Sequence, residues 1–477
     1  MRTFPLLLAI FVFIAACKKK NSQVDPQHQC LTPTEVKIQH ISGQDVNFVL
    51  VGTDSTSIGK VAWTIISDEK TVQIETNGKT LVTQNFSKSG NFRVTAIVQT
   101  VCNKNITLTR TENFKIEQYQ RQWITDIGQF QDSIDYHLAE SVNGGCIAAI
   151  NGWYSKQIIS LNATGQLLWK KSLDWEDSKY TVSILTAGDE GYILGTTTNS
   201  KRYGLLKISN TGEKIWEKEF YGIPNPSMMF PGDNLRKVIS ASDGGYVLAG
   251  MSNTRVGNNK SSPQKNSASN DTNTAYDIWI VKVDAQGNKQ WDKTIGGSDA
   301  EYISNIKVTP DGGYLLNCVS NSKISLDKTE DIEGDYDRWL VKINKSGDIE
   351  WDRIQPADTY GQMITLADGS IIIEKQSYPT GVGYRKLNSS GRKIWEKEIQ
   401  GSDATLLPSV KGGFIMFGNL GAYNFIKFNN DGEVQDRISI ELSEGLLRPW
   451  SPTIMTSSGG LYGFLYSGSN RSIFYVK

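Results

Sequence analysis

The segment SLDKTEDIEGDYDRW, Ser325 to Trp339, places Asp327, Glu330, Asp331, Glu333, Asp335 and Asp337 around Gly334. Closely spaced carboxylates beside a glycine are the donors a Ca²⁺ ion takes, since it wants about six to eight oxygens in a flexible loop. Asp331, Glu333, Asp335 and Asp337 are the candidate ligands. Their spacing departs from the helix-loop-helix calcium motif, and a solvated acidic loop is the alternative reading. Other chemistry is sparse. His28, His40 and His137 are too scattered for a histidine metal site. No glycine-rich phosphate loop and no nucleophile elbow occurs. Acidic residues are numerous, yet no spacing selects two of them as a glycosidase pair. The residues point to a protein that is not an enzyme and uses no cofactor beyond that weak Ca²⁺ candidate. Cys146 and Cys318 sit in apolar strand-like stretches and read as small buried residues. Cys30 and Cys102 bracket the first folded segment and form a possible disulfide, which sequence alone leaves open.

What positions these residues begins at the first stretch, MRTFPLLLAIFVFIAAC. Arg2, an apolar run from Phe4 to Ile14, and Ala15-Ala16 have the layout of a secretory signal peptide, residues 1–16. The run is too short to span a bilayer. Ile-Ala-Ala followed by Cys17 resembles the lipobox of bacterial lipoproteins. That resemblance implies cleavage before Cys17 and acylation of it, and two or more acyl chains anchor stably where one does not. Residues 17–30 would then be the lipidated cysteine and a polar tether. In Gram-negative lipoproteins an Asp beside the lipidated Cys often signals inner-membrane retention. Lys18 stands there, which by resemblance implies an outer-membrane lipoprotein; the lysines argue for a periplasmic face over a surface one without settling it. The 50 Lys+Arg against 50 Asp+Glu leave no basic excess, so nucleic acid is excluded as an expected partner.

Composition favours an all-β protein: 44 glycines, ten per cent aromatics and few helix-like stretches. Residues 31–117 alternate as short strands, which predicts a seven-stranded β-sandwich with Trp63 in its core. FSKSGNFRVTAIV, Phe86 to Val98, resembles the corresponding strand and turn of PKD-type immunoglobulin-like modules, which implies a spacer or adhesion module. The usual Trp-x-Phe-Gly-Asp-Gly turn of that family is missing; WTIISDEKT stands in its place.

Residues 118–477 repeat. A glycine-led strand start recurs seven times, from NGGCIAAI at Asn143 to SGGLYGFL at Ser458. A second marker joins a strand, a turn and a tryptophan, as in KISNTGEKIW. Its glycines are Gly165, Gly212, Gly287, Gly347, Gly391 and Gly432, each three residues after an Asn, Asp or Ser. A short acceptor followed by glycine three residues on is type I turn chemistry. The tryptophans are Trp169, Trp216, Trp291, Trp351 and Trp395, with Asp436 at the sixth place. QWITDIG, at Gln122, has the tryptophan strand without the strand that precedes it, and SIFYVK, ending at Lys477, has the reverse. Pairing the two predicts a seven-bladed β-propeller over 118–477, closed by its N-terminal strand. Trp123 and the five other repeat tryptophans are then expected to dock on neighbouring blades, each indole N–H finding a carbonyl.

The Asp-x-x-Gly-x-x-x-Trp text resembles the tryptophan-docking motif of quinoprotein-type propellers and of their non-enzymatic relatives, including the propeller lipoprotein of the β-barrel assembly machinery. The enzymes usually have eight blades and many carry a vicinal cysteine pair; this sequence has seven repeats and no such pair. The resemblance implies a lipid-anchored cell-envelope binding protein whose propeller presents a surface to a protein or a polysaccharide. Ligand contacts are expected from the polar insertion Ser252–Ala275 and from 325–337, the former otherwise a mobile surface loop. The alternatives are a periplasmic scaffold of outer-membrane assembly or, less favoured, a propeller hydrolase or quinoprotein-like enzyme.

Overall fold

The computed structural model describes residues 31–477 apart from 43–44, 69, 86–89, 115–120, 130–134, 153–155, 173–179, 189–190, 229, 266–275, 332–335, 357, 378–380, 402, 421–422, 439–452 and 468–469. Cys17, Cys30 and the leader therefore lie outside the described residues. The chain is all-β and divides into two compact units. The smaller holds most of residues 31–114; the larger is Lys115–Lys477 with two short earlier segments.

Among the described residues the sequence up to Phe114 forms seven strands in two sheets, the four-stranded one antiparallel. One orders Glu35–Ser42, Asp45–Val51 and Leu81–Asn85. The other orders Thr71–Asn77, Ile58–Ile66, Gly90–Thr100 and Asn105–Phe114. Val61, Trp63 and Ile65 alternate inward along the second strand of that sheet, and Trp63 is only 1% exposed. The period of two that marked these strands in the sequence puts one face in the core and the other in water.

The larger unit consists of seven four-stranded antiparallel sheets. Six are consecutive in sequence, spanning 135–172, 180–220, 233–295, 301–355, 359–400 and 403–438. The seventh takes three strands from 453–476 and its fourth from Arg121–Gln129. There Tyr475 stands opposite Trp123 and Ile473 opposite Thr125, 348 residues away in sequence (473 less 125). The second and third strands of each sheet are the near-continuous apolar runs. Cys146–Asn151 and Asp277–Val283 are buried at every position, because sheets cover both of their faces. The fourth strand alternates, as in Leu167–Ser172, where Trp169 is half-buried between exposed neighbours.

Each sheet shares a hydrophobic cluster with the next, and the seventh shares one with the first. The first strands of successive sheets also touch in order, and Thr453–Met455 of the seventh touches Asp135–Glu140 of the first. The seventh and first sheets are further tied by Arg471 Nε donating to Tyr136 Oη at 2.6 Å and by Ser457 N donating to Glu140 Oε2 at 2.8 Å.

Candidate functional site

The first strands of all seven sheets enclose a cavity of about 460 Å³. That size lies within the range of small-molecule pockets. Leu138, Val238, Met363, Leu406 and Met455 give it apolar walls, and His137, Ser183, Lys237, Asn305, Lys307 and Gln362 give it polar groups. The residues are placed there by backbone irregularity as much as by alternation. Register shifts precede Ser183, Lys237 and Asn305 in three consecutive sheets. A bulge inserts a residue and re-aims the next side chain, here into the cavity.

Several of these polar groups are used up in holding the strands together. Ser183 Oγ accepts from Val238 N at 2.9 Å. Gln362 Oε1 accepts from Leu406 N at 3.0 Å while its Nε2 donates to Ala404 O at 3.3 Å. Asn305 Nδ2 donates to Gly361 O at 3.4 Å. Thr405 and Thr453 add hydroxyls, and the lysines among the lining residues are the charged groups. Lys237 and Lys307 are half-buried and have no hydrogen bond or ion pair among the described residues. Burial lowers the pKa of Lys237, partly offset by the Asp135 carboxylate. Burial, and then the neighbouring Lys237 ammonium, push Lys307 down to about 8. His137 Nε2 is buried without a hydrogen bond; the Asp135 carboxylate, 3.4 Å away, is within ion-pair reach and is itself mostly exposed. No carboxylate lines the cavity among the described residues.

The two insertions singled out in the sequence prove to be equivalent loops on consecutive sheets. Residues 252–265 are not a loose polar loop. Lys260 is buried, donates to Thr254 O at 2.9 Å, and lies over the Trp279 ring. Asp292 accepts from Ser261 N and Ser262 N at 3.0 Å and from Trp279 Nε1 at 3.0 Å. Burial would raise the Asp292 carboxyl, but Lys289 and these donors outweigh it and hold it at about 2. One sheet later the same parts recur. Lys328 is buried and donates to Ser322 O, and Asp352 accepts from Thr329 N and Trp339 Nε1, both at 2.9 Å. The shared text is Ser-Asn-Thr/Ser, then Lys-Ser/Thr six residues on, a signal visible in the sequence once the repeats are aligned. Residues 266–275 lie outside the described residues.

The Ca²⁺ candidates are not brought together by anything described. Glu333 and Asp335 lie outside the described residues, as does the side chain of Asp337, and Asp331 is exposed. Two neighbouring acids of that segment serve the fold. Asp327 accepts from Gly296 N at 3.1 Å and pairs with Lys265, and Glu330 accepts from Ile354 N at 2.7 Å. Among the described residues no cluster of three metal-ligating side chains occurs.

The repeat tryptophans sit against the turn glycine of the adjacent sheet: Trp123 on Gly165, Trp169 on Gly212, Trp216 on Gly287, Trp291 on Gly347, Trp351 on Gly391 and Trp395 on Gly432. Trp123 Nε1 donates to Ala163 O at 2.9 Å and Trp169 Nε1 to Asn210 O at 2.8 Å. Cys146 and Cys318 are reduced and fully buried. Cys102 is disulfide-bonded, and Cys30 lies outside the described residues.

No protein-family model and no curated protein matches the chain. Solved structures of similar build include a protein of unknown function from Bacteroides caccae, 15% identical, covering 65% of this chain and 91% of its own, with a TM-score of 0.31. A protein from Lactobacillus plantarum is 8% identical, covering 80% and 97%, with a TM-score of 0.40. A quinoprotein alcohol dehydrogenase-like protein from Bacteroides thetaiotaomicron is 10% identical, covering 91% and 88%, with a TM-score of 0.36. At these values the likenesses carry no argument about function. The repeated four-stranded sheets set around a central cavity are in themselves a β-propeller arrangement.

Proposed function

We propose that the chain is a lipid-anchored binding protein of the cell envelope: a PKD-like sandwich, then a seven-bladed propeller closed by the strand at Arg121–Gln129, with its ligand taken at the central cavity. The supporting observation is the cavity itself, to which every first strand contributes and where Lys237 and Lys307 stand beside apolar walls with no hydrogen bond or ion pair among the described residues. Charged groups left unpaired in a concave pocket are a binding surface for a complementary partner. Closure is supported by the cyclic order of the first strands and by the Trp123–Gly165 contact between the seventh and first sheets. The anchor rests on Cys17 within its Ile-Ala-Ala-Cys context, and a Cys30–Cys102 bond would tie the tether to the sandwich. The ligand is a protein segment or a saccharide that the protein leaves chemically unchanged.

The anchor is tested by palmitate labelling and membrane fractionation in a Gram-negative host. Wild type is expected to label and sediment with the outer membrane, and Cys17→Ala to do neither. A wild-type chain released unlabelled into the soluble fraction would end the lipoprotein reading.

A further inference from the structure

We propose that the central cavity is an anion site, built to take an acidic saccharide, one bearing carboxylate or phosphate groups, between Lys237 and Lys307. The inference rests on the reading of the cavity as the binding site and specifies what enters it.

The argument proceeds by subtraction. Of the polar side chains lining the cavity, Ser183, Asn305 and Gln362 already hydrogen-bond neighbouring strands. Besides the uncharged Thr405 and Thr453, the others are two lysines and a histidine, from the third, fourth and first sheets. The lysines stand close enough for one to disfavour the charge of the other. Two half-buried ammonium groups with no counter-charge on the cavity wall among the described residues make a site of unbalanced positive potential. Asp135, whose charge acts on Lys237, is largely exposed and lies 3.4 Å from His137, which leaves Lys307 without a counter-charge among the described residues. An anion entering the cavity supplies that missing charge, and charge-assisted hydrogen bonds to an ammonium are the strong class. The volume exceeds what an inorganic ion fills, and Met363, Leu406 and Met455 face the same space. The occupant is therefore organic, its charged end at the lysines and its carbon skeleton against the apolar wall.

The test is isothermal titration of the full chain with three probes: inorganic phosphate, citrate and galacturonate. The variants are Lys237→Gln, Lys307→Gln and, to keep charge, Lys307→Arg. Galacturonate or phosphate should bind wild type, and each Gln variant should lose roughly tenfold to a hundredfold in affinity, the worth of a hydrogen bond to a charged group. Lys307→Arg should retain most of it, which separates loss of charge from loss of fold, and circular dichroism confirms folding of each variant. Binding that survives both Gln substitutions would mark an adventitious surface ion and overturn the inference. Binding of a neutral oligosaccharide, unaffected by either substitution and displaced by none of the anions, would overturn it too while leaving the cavity as the binding site. No binding of any anion by wild type, or binding of citrate alone, would also overturn it; phosphate in preference to citrate and galacturonate would assign the site to phosphorylated saccharides within the proposed class.

Discussion

Lys307 is costly where it stands. Its ordinary value near 10.5 falls to about 8 through burial and the adjacent Lys237. That depression corresponds to about 3 kcal/mol at full effect, and water in the cavity returns part of it. The unfolded chain keeps this proton up to pH 10.5, the folded chain only up to about 8. Between those values the unfolded state binds more protons, so this residue's contribution makes stability rise with pH; below pH 8 the penalty is present in full. Met has similar length and no charge. Lys307→Met is therefore expected to melt several degrees above wild type at pH 7, with the gap closing by pH 10.5. The charged group that acts on this lysine, Lys237, stays common to both chains, so the difference isolates Lys307. A gap that stays constant with pH would show that the penalty is one of packing and not of charge. Little of this was legible in the sequence. Nothing in the text DNLRKVIS or EYISNIKV marks its lysine as facing a cavity, and the register shifts that precede Lys237 and Asn305 are set by pairing with another strand.

Among the elements, the hairpin that carries the tryptophan shows the closest fit between sequence and structure. Asp284 caps its turn by accepting from Gln286 N at 2.9 Å and Asn288 N at 2.8 Å, and Gly287 N donates to Asp284 O at 3.1 Å. Gly287 sits at φ +79°, and the strand pair shifts register directly beside the turn. This is a three-to-five-residue hairpin loop ending in a glycine bulge. The glycine has a second task. A Cβ on Gly287 would come within 2.9 Å of the Trp216 ring, so the residue that makes the turn also makes room for the indole of the preceding sheet. Gly287→Ala then meets both left-handed strain and a clash, and is expected to cost about 2–4 kcal/mol, read as a shift in the urea midpoint. A variant with wild-type stability would mean that the indole can retreat at no expense. The same geometry accounts for Asp436. A tryptophan there would face the turn between the third and fourth strands of the seventh sheet. Those strands, Asn470–Val476 and Arg121–Gln129, are joined by no turn, so there is no glycine to dock upon.

On the scale of the whole larger unit, the sheets are joined through shared apolar burial. Every neighbouring pair shares apolar burial, including the pair that joins residues near 460–475 to residues near 136–161. Deleting residues 118–128 removes Trp123 and most of the strand that pairs with Asn470–Val476. It leaves a long unpaired edge and opens the contact with the first sheet. The expected outcome is loss of monomer in size-exclusion chromatography and a collapse of thermal stability, more than about 4 kcal/mol. A monomer with unchanged melting would sink the closed ring.

The sequence by itself determined what is local. Turn chemistry, strand periodicity, the count of repeats and the place of each docking tryptophan follow from residues within ten positions of one another, because a hairpin turn and a strand's two faces are short-range matters. It also carried the orphan strand at Gln122, through a mismatch in the count. Tertiary structure alone decided the rest. His137, Lys237 and Lys307 lie 100 and 70 residues apart in sequence and meet only across the cavity. Ser261, Ser262 and Thr329 of the polar insertions are pinned because Asp292 and Asp352 accept their backbone N–H groups from another strand. A side chain's partner across a ring is set by register, bulges and the sum of seven sheet packings, and none of these is written in its own neighbourhood.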